Sequence, residues 1–114
     1  MQPTTIKIDN VEYIRSDSIQ AFKPETGDVL PLGQAYFIRT VTYHFIGILV
    51  QKSDKELILK DASWIADSGR WSDALKNGTL NEVEPYPDDE LVIINRSACC
   101  DITRWKHPLP REQK

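Results

Sequence analysis

Guanidinium and aromatic side chains recur together along the chain: Arg39 with Tyr43 and His44, Arg70 with Trp71, then Arg96, and Arg104 with Trp105 and His107. Aromatic faces stack on a base, and guanidinium forks give phosphate two parallel donors, so the set suits a nucleotide-type small molecule. Arg96 stands at a hinge between two apolar segments. Loops carried on a rigid sheet commonly hold function, so Arg96 is the first candidate for ligand contact. The candidate ligand-binding residues are Arg96, Arg39, His44, Tyr43, Arg70, Arg104 and Trp105. Trp64 beside Ile65, and Trp71 sharing a helical face with Ala74 and Leu75, read as core residues. Trp105, flanked by Arg104 and Lys106, reads as a rim or subunit-interface residue.

No catalytic constellation accompanies this set. The chain has no glycine-rich phosphate loop, no His-x-Glu or Gly-x-Ser-x-Gly pattern and no pair of metal ligands at helical spacing. His44 and His107 are far apart in sequence, whereas zinc needs about four convergent ligands. A lone histidine such as His44 lacks the orienting partner of a general base, and Asp88-Asp89-Glu90 reads as a solvated acidic run. Cys99 and Cys100 are adjacent and could join only through a strained ring, so they read as two reduced thiols. The expectation is therefore a protein that binds without catalysing, with no cofactor and no metal.

The elements that must position these residues follow from hydrophobic patterning. Ile6 and Ile8, then Val11 and Tyr13, alternate with polar residues around Asp9-Asn10, which predicts a hairpin over residues 4–20. Residues 22–34, with two prolines and two glycines, read as a linker. The β-branched and aromatic run 35–50 is too long for one ordinary strand, so a turn near residues 42–44 divides it. Gly47 inside that run marks a bend where backbones approach closely. Residues 56–61 form the next strand. Asp67 or Ser68 caps a short helix through Lys76, which Gly78 stops. Residues 82–89 read as an acidic, proline-broken loop. Leu91-Val92-Ile93-Ile94 and 98–102 are further strands, and residues 106–114 read as a flexible tail.

Composition sets the outer bounds. The 114 residues, 40% of them hydrophobic, suit one domain with its own core. Seventeen acidic against 14 basic side chains leave a net charge of −3, which argues against a general nucleic-acid coat. No run approaches the roughly 18 apolar residues that span a bilayer. The first residues lack the basic-then-apolar layout of a signal peptide.

Two resemblances add to this reading. Gly47-Ile48-Leu49, Asp54 and Leu57-Ile58-Leu59-Lys60-Asp61 resemble the first motif of Sm-like small barrels. Val92-Ile93-Ile94-Asn95-Arg96-Ser97-Ala98 with Ile102 resembles the second, with Ser97 where glycine is usual. The order Val11-Glu12-Tyr13-Ile14-Arg15-Ser16-Asp17-Ser18, Tyr36-Phe37-Ile38-Arg39-Thr40, Gly47, Leu57-Ile58-Leu59 and Asp61-Ala62-Ser63-Trp64-Ile65 resembles a family of small uncharacterised tailed-phage and prophage proteins. The expected architecture is a mainly-β single domain over residues 1–114. It comprises a small SH3/Sm-like barrel from 35–62 and 91–103, an N-terminal hairpin, and an insert over 63–90 carrying one short helix. The resemblances imply a phage-encoded binding protein in the cytoplasm of a bacterial host cell. It would sequester a nucleotide-type molecule or immune signal at a subunit junction of a homo-oligomer. An Sm-like ring on single-stranded RNA is one alternative; a module that binds or inhibits a host protein, through the acidic run 82–90, is the other.

Overall fold

The long β-rich run divides where its length requires. The computed structural model describes residues 29–114, and the hairpin expected over 4–20 and the start of the expected linker lie outside the described residues. Strand β1 is Ala35–Thr40 and β2 is His44–Lys52. Between them the Thr40 amide and hydroxyl both donate to the Tyr43 carbonyl, the amide at 3.0 Å, which closes a tight turn. There follow β3 Glu56–Asp67, helix α1 Trp71–Asn77, β4 Glu82–Pro85, β5 Val92–Asn95, one 3-10 turn Arg96–Ala98, and β6 Cys99–Arg104.

All pairings are antiparallel, in the order β4-β3-β2-β1-β6, with β5 also on β3. Strand β3 serves two neighbours because it bends. Its first residues, from Glu56 to Leu59, pair with β5, and those from Ser63 onward pair with β4. Between these stretches Asp61 takes a φ of 50°, and the ladder to β2 shifts register between Ile46 and Ile48. Gly47 sits inside that bulge. A Cβ there would come within 3.0 Å of Ala62 Cβ and 3.1 Å of Ala62 Cα, so the close approach favours glycine.

The insert expected over 63–90 is therefore only partly an insert, since the end of β3 and all of β4 belong to the sheet. The sheet is strongly bent but, among the described residues, no pairing joins β6 to β4 or β5, and the ladder stays open. The fold is mainly antiparallel β with one short helix. No helix among the described residues is long and apolar enough to cross a membrane.

Directly paired residues share a face, so two kinds of row cross the sheet. One runs Asp101, Arg39, His44, Ile65, Val83, and beside it run Thr103, Phe37, Ile46, Ser63, Pro85. Phe37, Ile46, Ile65 and Val83 on this face form a core with Ala74, Leu80 and Trp105, flanked by Trp71 and Leu109. Each fully buried side chain of this kind contributes roughly 1.5–3 kcal/mol. The row on the opposite face is Ile102, Ile38, Phe45, Trp64, Glu84.

Helix α1 ends as expected, at Gly78 with φ 74° and its amide on Ala74 O. It starts later than expected, and no side chain caps it: Asp67 instead accepts the Gly69 amide at 2.8 Å. The expected flexible tail packs back on the domain. Lys114 and Val83 exchange backbone hydrogen bonds of 3.0 and 3.3 Å, which covers the outer edge of β4.

Candidate functional site

The structure brings together two of the seven candidate ligand residues and disperses the rest. Arg39 and His44 are cross-strand neighbours, with Asp101 beyond Arg39. Arg39 Nε and Nη2 donate to the two carboxylate oxygens of Asp101 at 2.9 and 2.5 Å. The same guanidinium lies 4.1 Å from the centroid of the Trp71 ring, a cation–π geometry. The hydrogen bond from Arg39 holds the Asp101 carboxyl below the usual carboxylate range and raises Arg39 in turn. His44 lies against Phe37 with its Nδ1 buried and unpartnered. Burial pushes its pKa down, and the Arg39 charge adds to the effect.

Of the others, Arg96, Arg104 and Trp105 serve the fold, whereas Tyr43 packs against Phe45 and Trp64. Arg96 donates from Nη1 to Ser53 O at 2.7 Å, and its amide donates to Lys55 O, so it braces the β2–β3 turn. Arg104 donates to Gln34 Oε1 at 2.8 Å. Arg70 is exposed at the start of α1. Trp105, expected at a rim, is 4% exposed in the core with its indole N–H on Pro108 O. Arg104 and Lys106 misled that expectation, because in extended chain they point away from the side their neighbour takes. Among the described residues no group of three or more His, Cys, Asp or Glu side chains could hold a metal ion. Cys99 and Cys100 are both free thiols, and burial pushes Cys99 up.

The most developed concave aromatic surface lies on the other side of the sheet. Tyr43, Trp64, Glu84, Pro85, Tyr86 and Pro87 line an open groove of about 380 Å³. Tyr43 meets Trp64 in a T-shaped pair with centroids 5.4 Å apart, and meets Phe45 likewise at 5.5 Å. Phe45 in turn stacks on Tyr86 at 6.5 Å and 24°. Trp64 was expected in the core beside Ile65. Their adjacency in β3 is the reason it is not there: Ile65 takes the helix-covered face and sends Trp64, half-buried, to the other.

The far wall of the groove is held from behind by the C-terminal segment. Arg111 donates to Ala62 O, to Tyr86 O at 2.6 Å and to the Asp88 carboxylate at 3.0 Å. Ser63 Oγ donates to Pro110 O, and the Tyr86 amide donates to Ala62 O at 2.9 Å. Residues 82–90 contribute five carboxylates and no basic side chain. In sequence they read as a solvated loop; the overlooked signal was Pro85-Tyr86-Pro87, two fixed φ angles flanking an aromatic residue.

Compared with known proteins, the chain has no matching family model, no matching curated protein and no matching solved structure.

Proposed function

We propose that this protein is a non-enzymatic interaction module that seats an extended, proline-containing segment of a partner protein in the Tyr43–Trp64–Tyr86 groove. The observation that carries this reading is the groove's make-up: three aromatic rings and two prolines around a single carboxylate, Glu84, and open to solvent. Polyproline II segments bind such surfaces well. Their conformation is preformed, little entropy is lost, and pyrrolidine rings lie flat against aromatic ones. The acidic run 82–90 favours a basic residue beside the prolines.

The bend of β3 at Asp61 and the 3-10 turn between β5 and β6 support reading the sheet as a small SH3/Sm-like barrel layout. The phage-like sequence order makes a protein of the bacterial host the expected partner, in the host cytoplasm.

A second reading, a nucleotide-type ligand held by Arg39 and Trp71 at a subunit junction of a homo-oligomer, is favoured by the guanidinium lying over the indole. It requires Arg39 to give up Asp101, and Arg96, Arg104 and Trp105 are committed elsewhere. The single-stranded RNA ring gains nothing from a groove edged by carboxylates.

Fluorescence anisotropy with labelled peptides carrying a Pro-Pro-Arg-Pro core tests the proposal. Saturable binding that weakens when the arginine is replaced by glutamate supports it. Binding of nucleotides or cyclic dinucleotides in calorimetry, with no response to any peptide, overturns it in favour of the second reading.

A further inference from the structure

Tyr43 separates the groove from a second hollow, of about 420 Å³, formed by the β1–β2 turn, Phe45, Ile93, Ile94 and residues 97–100. It opens where the sheet fails to close: β5 pairs with β3 and β6 with β1, but among the described residues not with each other. No charged side chain lines it. Two of its apolar side chains stand well out into solvent, Val41 at 87% and Ile93 at 62% exposure. Tyr43 lines both depressions, and Phe45 reaches from the hollow to stack on Tyr86 in the groove, so the aromatic floor continues from one to the other.

We propose that this hollow is a second subsite for the same partner segment, taking one bulky, uncharged apolar side chain of that segment on the far side of Tyr43 from its proline contacts. The inference rests on the reading of the groove as a peptide site. Its own support is the contrast between the two depressions. The groove carries Glu84, one of the five carboxylates of residues 82–90, so it selects for proline with a basic neighbour. The hollow offers hydroxyls, one amide and thiols at its rim but no counter-ion. A charged side chain entering it loses hydration without compensation, whereas an apolar one covers Val41 and Ile93. The volume lies within the usual range for side-chain-accepting and ligand-accepting sites. A partner that fills both depressions is read twice, by charge on one side of Tyr43 and by its absence on the other.

Cys100, exposed at the rim, is a built-in reporter. The test uses labelled peptides with the Pro-Pro-Arg-Pro core and a leucine, alanine or glutamate placed a few residues beyond either end. Affinity for the full chain is read by anisotropy. Alkylation of Cys100 by N-ethylmaleimide is followed by peptide mapping with and without each peptide. In at least one orientation the leucine peptide binds about tenfold more tightly than the glutamate one, the loss expected when a desolvated apolar group becomes a charge. It also slows Cys100 alkylation. Ile93→Glu, and independently Ala98→Trp at another exposed lining position, erase the leucine preference and leave the alanine peptide's affinity within about twofold.

Equal affinities for the three peptides with unprotected Cys100 overturn the second subsite while leaving the groove intact. No binding by any peptide removes the reading of the groove, and this inference with it. A dimer in sedimentation that Ile93→Glu dissociates, with peptide preferences unchanged, assigns the hollow to a second copy and overturns the proposal.

Discussion

Tyr43 and Trp64 meet edge to face, ring centroids 5.4 Å apart and planes at 73°, although one belongs to a turn and the other to the far end of β3. Strand register brings them together: His44 pairs with Ile65 and Phe45 with Trp64, so Tyr43 falls beside the Trp64 ring. The pair forms one wall of the groove, opposite Pro85-Tyr86-Pro87.

Truncating either ring should remove binding and spare the fold. Trp64→Ala is expected to weaken the arginine–proline peptide by at least about tenfold, the scale of an aromatic hot spot. Tyr43 is already 39% exposed, so Tyr43→Ala should cost stability of roughly 1 kcal/mol or less. Anisotropy and urea unfolding on the same samples separate the two effects.

Arg111 should matter to the groove without lining it. Its guanidinium ties Ala62 O, Tyr86 O and Asp88 together behind the wall. Arg111→Ala takes the charged donor from Tyr86 O and leaves Ala62 O with the Tyr86 amide alone, and should cost about 2 kcal/mol, in the range for hydrogen bonds to a charged group. Hydrogen exchange should accelerate at the Tyr86 amide, which bonds to Ala62 O, while the β1 and β2 amides stay protected.

Gly47→Ala should be among the costliest single-methyl changes in the chain. The new Cβ meets Ala62 Cβ at 3.0 Å and Leu59 Cβ at 3.2 Å, so two fully buried neighbours must give way. Overpacking of this kind costs about 1–3 kcal/mol, measurable as a lower urea midpoint with an unchanged slope.

Much of the strand layout was legible for the same reason Gly47 was: β-branched runs, their excessive length, and a glycine where two backbones must touch. The turn before His44, the end of α1 at Gly78, and β5 with β6 on either side of Arg96 all follow from local chemistry. The continuation of β3 beyond Asp61 does not. Asp61-Ala62-Ser63 reads as a strand end, and only the exchange of partners from β5 to β4 makes use of the bend. The candidate site was the least legible part. Arginine and tryptophan types flag where binding chemistry is affordable, but which face each takes depends on register. Trp64 and Trp105 exchanged their expected places for that reason, and Arg39, Arg96 and Arg104 found partners inside the fold.

Acid should destabilise the protein in two stages. His44 is held below its ordinary 6.5, chiefly by burial. The unfolded chain therefore binds more protons as pH drops below 6.5, and stability falls from there toward the depressed value, then levels off. His44→Asn should flatten that decline. The Asp101 carboxyl is held below its ordinary 3.8, chiefly by the Arg39 hydrogen bond. Its contribution is present above that value and lost as pH falls through the depressed one, so Asp101→Asn removes the lower step, and by withdrawing a charge that raises His44 it also deepens the upper one. With the two side chains 34% and 44% exposed, screening keeps the pair to under about 1 kcal/mol. Urea unfolding of wild type and both variants across pH resolves the steps.

The most direct test of the peptide groove is a titration of the isotopically labelled full chain with the arginine–proline peptide, followed by two-dimensional NMR. The Trp64 indole N–H and the Tyr43 and Tyr86 amides are expected to shift together and saturably, while the indoles of Trp71 and Trp105 stay in place. Shifts gathered at Trp71, Arg39 and His44, or none at any peptide concentration, would contradict binding in the groove.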